Sequence, residues 1–334
     1  MNQATLTKKD FASKQDVRWC PGCGDYAILS SIQTVMPEIG VPKEKIVFVS
    51  GIGCSSRFPH YMSTYGFHTI HGRAPAVATG LKLANPDLSV WMVTGDGDGL
   101  SIGGNHLIHC LRRNIDVKVL LFNNKIYGLT KGQYSPTSAT GTKAKSTPYG
   151  SLDRSFNPTS VAVGAQATFI ARTIDTDPKH MQQTFKEAAE HKGTAFVEIL
   201  QNCVIFNDKV HSSVTAPANR DDNQVRLEHG KPMLFGKNNS KGLKLNTESL
   251  NIEVIDVNES NLSEVMVHDE TRENPTLHFL LGELESPSVL GVIRKVQGPN
   301  YEKDVHDQID SVKKLKGNGD MKKLLYGSDT WTID

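Results

Sequence analysis

The sequence predicts a doubly wound α/β fold with a mainly parallel sheet. Short segments rich in β-branched and aromatic residues alternate with helix-like segments over roughly the first 200 residues. The predicted strands are apolar almost throughout, which is typical of a parallel sheet covered by helices on both faces. Three polar motifs directly follow predicted strands, and sites in this fold class form at the carboxyl ends of strands.

Five segments are predicted as strands because each is a short apolar run bounded by turn-forming residues: 46–50, 90–94, 117–122, 168–171 and 195–200. Helices are predicted between them over 26–36, 74–84, 104–113 and 178–190. These elements place residues 1–208 in one α/β domain. From residue 209 the chain is polar and punctuated by glycine, so 209–334 is predicted to be a C-terminal extension that wraps the core or a partner.

Composition and charge argue against several classes of protein. The chain has 334 residues and a formal net charge of +1, without a long block of one sign, so a nucleic-acid binder is not expected. No run of 18 apolar residues occurs, and residues 1–18 are polar rather than shaped like a secretion signal. The expectation is therefore a soluble, cytoplasmic protein that does not bind membranes.

The five cysteines, Cys20, Cys23, Cys54, Cys110 and Cys203, are few, odd in number and widely spread, which argues against a disulfide framework. Cys20 and Cys23 form a C-x-x-C pair, whose thiolates can bind one metal or form a redox disulfide. With Cys54 and Cys203, four thiolates would suit either structural zinc or a four-iron four-sulfur cluster. Cys110 lies in a predicted helix and is expected to be a small core residue.

A motif for a divalent cation follows the second and third predicted strands. Gly95-Asp96-Gly97 combines a turn that lets backbone amides approach phosphate oxygens with a carboxylate suited to Mg²⁺. Asn124 lies 28 residues later, at the end of the next predicted strand. Because one strand–helix–strand unit returns the chain to the same edge of a parallel sheet, the two side chains are expected to reach one cation.

The segment GDGDGLSIGGNHLIHCLRRNIDVKVLLFNNKIYGLTKGQ resembles the thiamine-diphosphate motif of the 2-oxoacid:ferredoxin oxidoreductases, and WCPGCGD with GIGCSS resembles their β subunit. The resemblance implies a fold of the thiamine-diphosphate-binding type, with Mg²⁺ held by Asp96, Asn124 and the backbone carbonyl of Ile126. It also implies a four-iron four-sulfur cluster on Cys20, Cys23, Cys54 and Cys203. The residues expected to line the cofactor are Ile52, Gly53, Cys54, Ser55, His71, Gly97, Asp98, Gly128 and Leu129, while Thr130 and Gln133 are candidates for phosphate or substrate contacts.

Thiamine enzymes generally use a glutamate at the aminopyrimidine ring, and this sequence has no glutamate between Glu44 and Glu187. We therefore expect a partner chain to supply it. The resemblance likewise implies an α subunit, in an α/β heterodimer or a dimer of heterodimers. It further implies ferredoxin as electron acceptor and coenzyme A as acyl acceptor.

Arg57 follows Cys54 by three residues and is expected to bind the distal carboxylate of 2-oxoglutarate, because guanidinium pairs well with carboxylates. His71 is a second catalytic candidate, with a packed, hydrogen-bonded histidine as the alternative. The segments FHTIHGRAPAVATGLKLANPDL and YGLTKGQYSPTS resemble the 2-oxoglutarate branch of the family more than the pyruvate branch. Alternatives are a pyruvate or broad 2-oxoacid enzyme, a non-redox thiamine decarboxylase or synthase with structural zinc, and a non-catalytic electron-transfer subunit.

Overall fold

The computed structural model describes residues 6–333, so residues 1–5 of the polar N-terminal segment lie outside it. Within that range the strands are β1 (Ile46–Ser50), β2 (Tyr65–His68), β3 (Ser89–Gly95), β4 (Val117–Asn123), β5 (Phe169–Ile174), β6 (Ala195–Leu200), β7 (Gln224–Arg226), β8 (Leu234–Phe235), β9 (Lys241–Asn246), β10 (Asn251–Asp256) and β11 (Ser288–Lys295). The α-helices are α1 (Asp25–Val35), α2 (Phe58–Tyr61), α3 (Ala74–Ala84), α4 (Asp96–Leu100), α5 (Gly104–Arg113), α6 (Pro158–Gly164), α7 (Pro178–Glu190), α8 (Ser212–Thr215), α9 (Arg220–Asn223), α10 (Thr276–Glu283), α11 (Tyr301–Lys316) and α12 (Met321–Tyr326). Short 3₁₀ helices cover Lys8–Phe11, Met36–Ile39, Lys43–Lys45, Ser55–Arg57, Lys237–Asn239 and Leu262–Glu264.

Eight strands form one sheet in the order β2-β1-β3-β4-β6-β5-β11-β7. Strands β1 to β6 run parallel to their neighbours, and β11 is antiparallel to β5. Strands β8, β9 and β10 form a separate antiparallel sheet. The predicted doubly wound, mainly parallel α/β fold is therefore confirmed.

The two faces of the large sheet explain why its central strands are apolar. Helices α3, α5 and α6 contribute residues to the core on one face, and α1 and α7 contribute to the core on the other. Every residue of β4, β5 and β6 is buried. Strands covered on both sides have no solvent-facing positions, so polar alternation is absent from their sequences.

The five predicted strands are present, with ends shifted by up to three residues. Helices α3, α5 and α7 have the predicted limits, and α1 begins and ends one residue earlier than predicted. The start of α7 has a clear local cause, since the Asp177 side chain accepts a hydrogen bond from His180 N (3.1 Å) and Pro178 occupies the first turn. The short helix α4 was not predicted, and it makes Asp96 the first residue of a helix.

Residues 209–334 take part in the large sheet through β7 and β11, which the sequence analysis did not predict. Strand β11 contains Gly291 at φ 116° and a register shift between Val292 and Arg294. Because the strand is interrupted in this way, its sequence lacks the pattern of a regular strand. The same part of the chain forms the small sheet and the exposed helices α11 and α12. None of the helices within residues 6–333 combines the length and the apolar character needed to cross a membrane.

Candidate active site

The loops after β1, β3 and β4 meet at one edge of the large sheet, because these strands are parallel neighbours. They enclose a cavity of about 80 Å³, called here the strand-end cavity. All thirteen residues predicted to contact the thiamine cofactor or magnesium line it. The full lining is Ile52, Gly53, Cys54, Ser55, His71, Gly95, Asp96, Gly97, Asp98, Asn124, Ile126, Tyr127, Gly128, Leu129 and Thr130.

Position 97 has no room for a side chain, because the Tyr127 ring packs directly against it. A Cβ atom at Gly97 would lie 2.4 Å from Tyr127 Cε1, and the Tyr127 hydroxyl donates to Gly97 O at 2.9 Å. Burial raises the pKa of Tyr127, so this phenol keeps its proton and remains a donor. The glycine therefore lets an aromatic ring pack directly on the turn that begins with Asp96.

Asp96 is almost completely buried, with 1% of its surface exposed. Its Oδ2 accepts hydrogen bonds from Ser135 Oγ and Thr137 Oγ1, both at 2.5 Å. Burial raises the pKa of Asp96, while the two hydroxyls act in the opposite direction. Sequence analysis missed Ser135 and Thr137, because they lie about 40 residues from Asp96 and nothing in their local pattern points to it.

Asn124 has its side-chain amide fixed in one orientation. Its Oδ1 accepts from Ile126 N at 3.2 Å, and its Nδ2 donates to Gln201 Oε1 at 2.8 Å. A carboxylate, an amide oxygen and a backbone carbonyl are oxygen donors of the kind that Mg²⁺ binds, so this donor set fits the predicted ion. Within residues 6–333, no group of three or more His, Cys, Asp or Glu side chains is arranged to hold a metal ion.

Asp98 connects the loops that form one wall of the strand-end cavity. Its Oδ1 accepts from Gly72 N (2.7 Å) and Ile52 N (3.2 Å) and lies 2.6 Å from His71 Nδ1, while its Oδ2 accepts from Thr94 Oγ1 (2.7 Å). The carboxylate therefore holds the loops after β1 and β2 together. Asp98 and His71, which were both predicted to line the cofactor, thus contact each other within the protein itself.

The four cysteines predicted to share a cluster line a second cavity of about 290 Å³, called here the cysteine cavity. Burial raises the pKa of the Cys54 thiol to about 11, and it also raises the pKa of Cys23. Nearby Cys203 adds to both shifts, because neighbouring thiolates repel one another. Four cysteine side chains are the donor set that zinc and iron–sulfur centres use, so the lining of this cavity fits such a group by its chemistry, although within residues 6–333 no three of them are already arranged around a metal position.

Cys110, on α5, is not part of the cysteine cavity and is buried in the apolar core, as predicted. Burial raises the pKa of its thiol to about 11. Asp25 lines the cysteine cavity instead, and burial raises the pKa of this carboxyl to about 7. The sequence analysis did not single out Asp25, although it directly follows the C-x-x-C-G segment.

The two cavities share a wall. Cys54, Asn124, Gly128 and Leu129 line both of them. A Cβ atom at Gly128 would lie 3.5 Å from Cys203 Sγ and 3.7 Å from Cys54 Sγ. Gly128 therefore lies within van der Waals reach of the sulfurs of Cys203 and Cys54, and Cys54 itself belongs to both cavities.

Arg57 lies beside the cysteines rather than in the strand-end cavity. It lines the cysteine cavity and an adjoining cavity of about 490 Å³, and its Nη1 donates to Arg18 O at 2.8 Å. Thr130 donates through Oγ1 to Gln133 Oε1 at 2.5 Å, at the exposed mouth of the strand-end cavity. The contacts predicted between these three residues and substrate or phosphate stay predictions.

No glutamate lines the strand-end cavity among the described residues. Glu198, within β6, is instead paired with Arg172 (2.7 Å) and Asn123 (2.7 Å), and it lines a different cavity. The strand-end cavity is also smaller than the roughly 300–1,000 Å³ of ordinary ligand pockets.

Comparison with known proteins adds independent information. Residues 51–199 match the thiamine pyrophosphate enzyme C-terminal TPP-binding domain family. The chain is 51% identical to the 2-oxoglutarate oxidoreductase subunit KorB of Mycobacterium tuberculosis, over 98% of this chain and 88% of that protein. It is 40% identical to the 2-oxoglutarate synthase subunit KorB of Methanocaldococcus jannaschii, over 67% of this chain and 84% of that protein.

A solved structure extends the likeness to the whole chain. The 2-oxoglutarate:ferredoxin oxidoreductase from Magnetococcus marinus, with 2-oxoglutarate, coenzyme A and succinyl-CoA bound, superposes with a TM-score of 0.76. The sequences are 31% identical, and the match covers 98% of each chain. Residues 209–334 are thus part of the shared architecture.

Proposed function

Because the chain belongs to the family of 2-oxoacid:ferredoxin oxidoreductase β subunits, we propose that it serves as the β subunit of a 2-oxoglutarate:ferredoxin oxidoreductase. The reaction is the thiamine- and coenzyme A-dependent conversion of 2-oxoglutarate to succinyl-CoA and CO₂, or its reverse. The observation that carries the proposal is the wall shared by a cavity lined with four cysteines and a cavity lined with oxygen ligands.

The strand-end cavity would hold the diphosphate half of thiamine diphosphate. Asp96, Asn124 and the carbonyl of Ile126 would hold Mg²⁺, which neutralises the phosphate charge. Gly97 leaves the backbone of its turn accessible beside the packed Tyr127 ring. Asp98 keeps the loops after β1 and β2 in place by accepting from their backbone amides.

The cysteine cavity would hold a four-iron four-sulfur cluster on Cys20, Cys23, Cys54 and Cys203. When bound, thiamine diphosphate supplies the carbon nucleophile for the 2-oxo group and the cluster accepts electrons one at a time. The thin wall at Gly128 supports a short path between the two. Zinc cannot accept electrons and a cluster on these cysteines would have to, so iron is proposed here in preference to zinc.

The remaining parts of the site are assigned to partners. The α subunit supplies the glutamate for the aminopyrimidine ring, consistent with the absence of glutamate from the described cavity lining. Ferredoxin takes the electrons and coenzyme A takes the acyl group. The cytoplasmic location and the heteromer stoichiometry expected from the sequence stay predictions.

A broader substrate range is a second candidate. The chain is 50% identical to subunit beta of 2-oxoacid:ferredoxin oxidoreductase 1 from Aeropyrum pernix, over 57% of this chain and 60% of that protein. That relative's name refers to 2-oxoacids in general. A comparison of substrates distinguishes the two candidates.

The test is anaerobic co-purification with the α subunit, followed by ferredoxin or viologen reduction with 2-oxoglutarate, pyruvate and 2-oxobutyrate. We expect highest kcat/KM with 2-oxoglutarate, bound iron rather than zinc, and no turnover by this chain alone. Equal kcat/KM for the three acids would favour the broad enzyme. Turnover by the isolated chain, or zinc in place of iron, would contradict the proposal.

A further inference from the structure

Gln201 directly follows β6, and its side chain lines the cysteine cavity. It is 1% exposed. Its Oε1 accepts from Asn124 Nδ2 at 2.8 Å, and its Nε2 donates to Cys23 Sγ at 3.4 Å. One buried amide therefore contacts both a candidate magnesium ligand and a candidate cluster ligand.

The orientation of this amide is determined by its surroundings. Nε2 also donates to Asn202 O at 2.5 Å, and the Gln201 backbone N donates to Asn123 O at 3.0 Å. An amide has donors only on nitrogen and acceptors only on oxygen. The Asn202 carbonyl accepts from Nε2, and Asn124 Nδ2 donates to Oε1. Both contacts require the same orientation of the amide, so a flipped Gln201 side chain would lose both.

For Asn124 the contact decides which atom is available to a cation. Its Nδ2 is occupied by Gln201, so Oδ1 remains as the ligand atom, beside Ile126 N. Without Gln201 only the 3.2 Å bond from Ile126 N would hold the Asn124 amide, and a rotated amide would present its N–H groups, which repel a cation. Gln201 thus acts on metal binding through Asn124.

For Cys23 the contact affects the charge on sulfur. An N–H that donates to a cluster-bound sulfur stabilises negative charge there, and such hydrogen bonds are among the determinants of iron–sulfur reduction potentials. The reduced cluster carries one more electron than the oxidised cluster. The donor therefore favours the reduced form.

We propose that Gln201 is a positioning residue that orients Asn124 for magnesium and, through its bond to Cys23, raises the reduction potential of the cluster. This inference rests on the function proposed above, and it identifies one side chain that connects the two cofactor sites. The two roles depend on different atoms of the amide, Oε1 and Nε2. They can therefore be separated by substitution.

The experiment compares Gln201→Glu and Gln201→Met in the anaerobically purified complex of both subunits. Gln201→Glu keeps an acceptor for Asn124, loses the donor to Cys23 and adds a negative charge beside the sulfur, which further disfavours the reduced cluster. At a fixed potential we expect its ratio of reduced to oxidised cluster to fall about tenfold, which is about 59 mV for one electron. The Mg²⁺ concentration that gives half-maximal thiamine diphosphate binding should stay within about threefold of wild type.

Gln201→Met removes both contacts with little change in volume. We expect its half-saturating Mg²⁺ concentration to rise about tenfold and its ratio of reduced to oxidised cluster to fall about threefold. Electron paramagnetic resonance at controlled potentials measures the cluster, and equilibrium dialysis at varied Mg²⁺ measures cofactor binding. The matched control is Gln33→Met, a buried glutamine on α1 that donates to Tyr61 O at 3.2 Å.

Three results would contradict different parts of the proposals. A wild-type complex without Mg²⁺-dependent thiamine diphosphate binding, or without a reducible cluster signal, would contradict the proposed function itself. A wild-type complex with both, in which the Gln201 variants behave like Gln33→Met, would overturn this inference alone. A change in Mg²⁺ requirement with an unchanged cluster ratio would also overturn it, since Gln201 would then not act on Cys23.

Discussion

The two cavities that meet at Gly128 are organised in different ways. In the strand-end cavity, long-range hydrogen bonds from hydroxyls and backbone amides hold the carboxylates of Asp96 and Asp98. In the cysteine cavity, burial and mutual repulsion raise the pKa values of Cys23 and Cys54 above those of ordinary thiols. The difference teaches that hydrogen bonds within the protein hold the oxygen donors of the strand-end cavity in place, whereas the proposed sulfur ligands would be stabilised as thiolates only by a bound metal.

The largest effect is expected from removing the Cys203 sulfur, which should affect one cavity and leave the other intact. Cys203→Ser replaces a thiolate by a poor iron ligand, so cluster content should be lost and ferredoxin reduction should fall by more than about 100-fold. Thiamine diphosphate binding should stay within about threefold, because the strand-end cavity is ordered independently. Iron analysis measures the cluster content, and equilibrium dialysis measures thiamine diphosphate binding. Cys110→Ala is the control, and loss of iron in that variant would argue against the assignment of the four ligands.

Asp96→Asn tests the opposite cavity. It removes the only charge among the proposed magnesium ligands, so the half-saturating Mg²⁺ concentration should rise by about 50-fold while iron content stays at the wild-type level. Asp153→Asn is the control, since this carboxylate accepts from the exposed Tyr134 hydroxyl (2.7 Å). A wild-type Mg²⁺ requirement in Asp96→Asn would remove Asp96 from the site.

A smaller effect is expected from the hydroxyls that hold Asp96. Thr137→Val keeps the shape of the side chain and removes one donor to the carboxylate, so the Mg²⁺ requirement should rise about tenfold. Thr137→Ser restores the hydroxyl and should restore the requirement. Thr140→Val, whose hydroxyl donates to Asp153 O, should have no effect. Equal behaviour of the two valine variants would show that the hydroxyl does not order Asp96.

The smallest effect concerns pH. Cys54 has its pKa raised from 9.0 to about 11 in the folded chain, so the folded state binds more protons than the unfolded state between these values. Stability of the metal-free complex should therefore fall as pH rises from about 9 to 11. Urea unfolding in Cys54→Ala should show a weaker decline. A decline as steep as wild type would show that Cys54 does not contribute.

Much of the fold could be predicted, because buried parallel strands have a distinctive local pattern. The runs that became β1 and β6 were predicted to the residue, and spacing along one strand–helix–strand unit brought Asp96 and Asn124 to the same cavity. The four cysteines were grouped by thiol chemistry and family resemblance rather than by any pattern between positions 54 and 203.

The groups that support the ligands could not be predicted. Ser135, Thr137 and Gln201 make their contacts across 39, 41 and 77 residues of sequence. Serine, threonine and glutamine are common in loops and at strand ends, and their polarity by itself does not point to a partner. Only the return of the chain to the same edge of the sheet brings them to Asp96 and Asn124.

The pairing of β11 with β5 has a consequence for biosynthesis. Lys295 lies opposite Phe169, so β5 keeps an open edge until more than 120 further residues have left the ribosome. During that interval the nascent chain presents unpaired backbone groups beside an apolar core, the kind of surface that chaperones recognise. Translation must therefore pass residue 295 before this half of the sheet is protected.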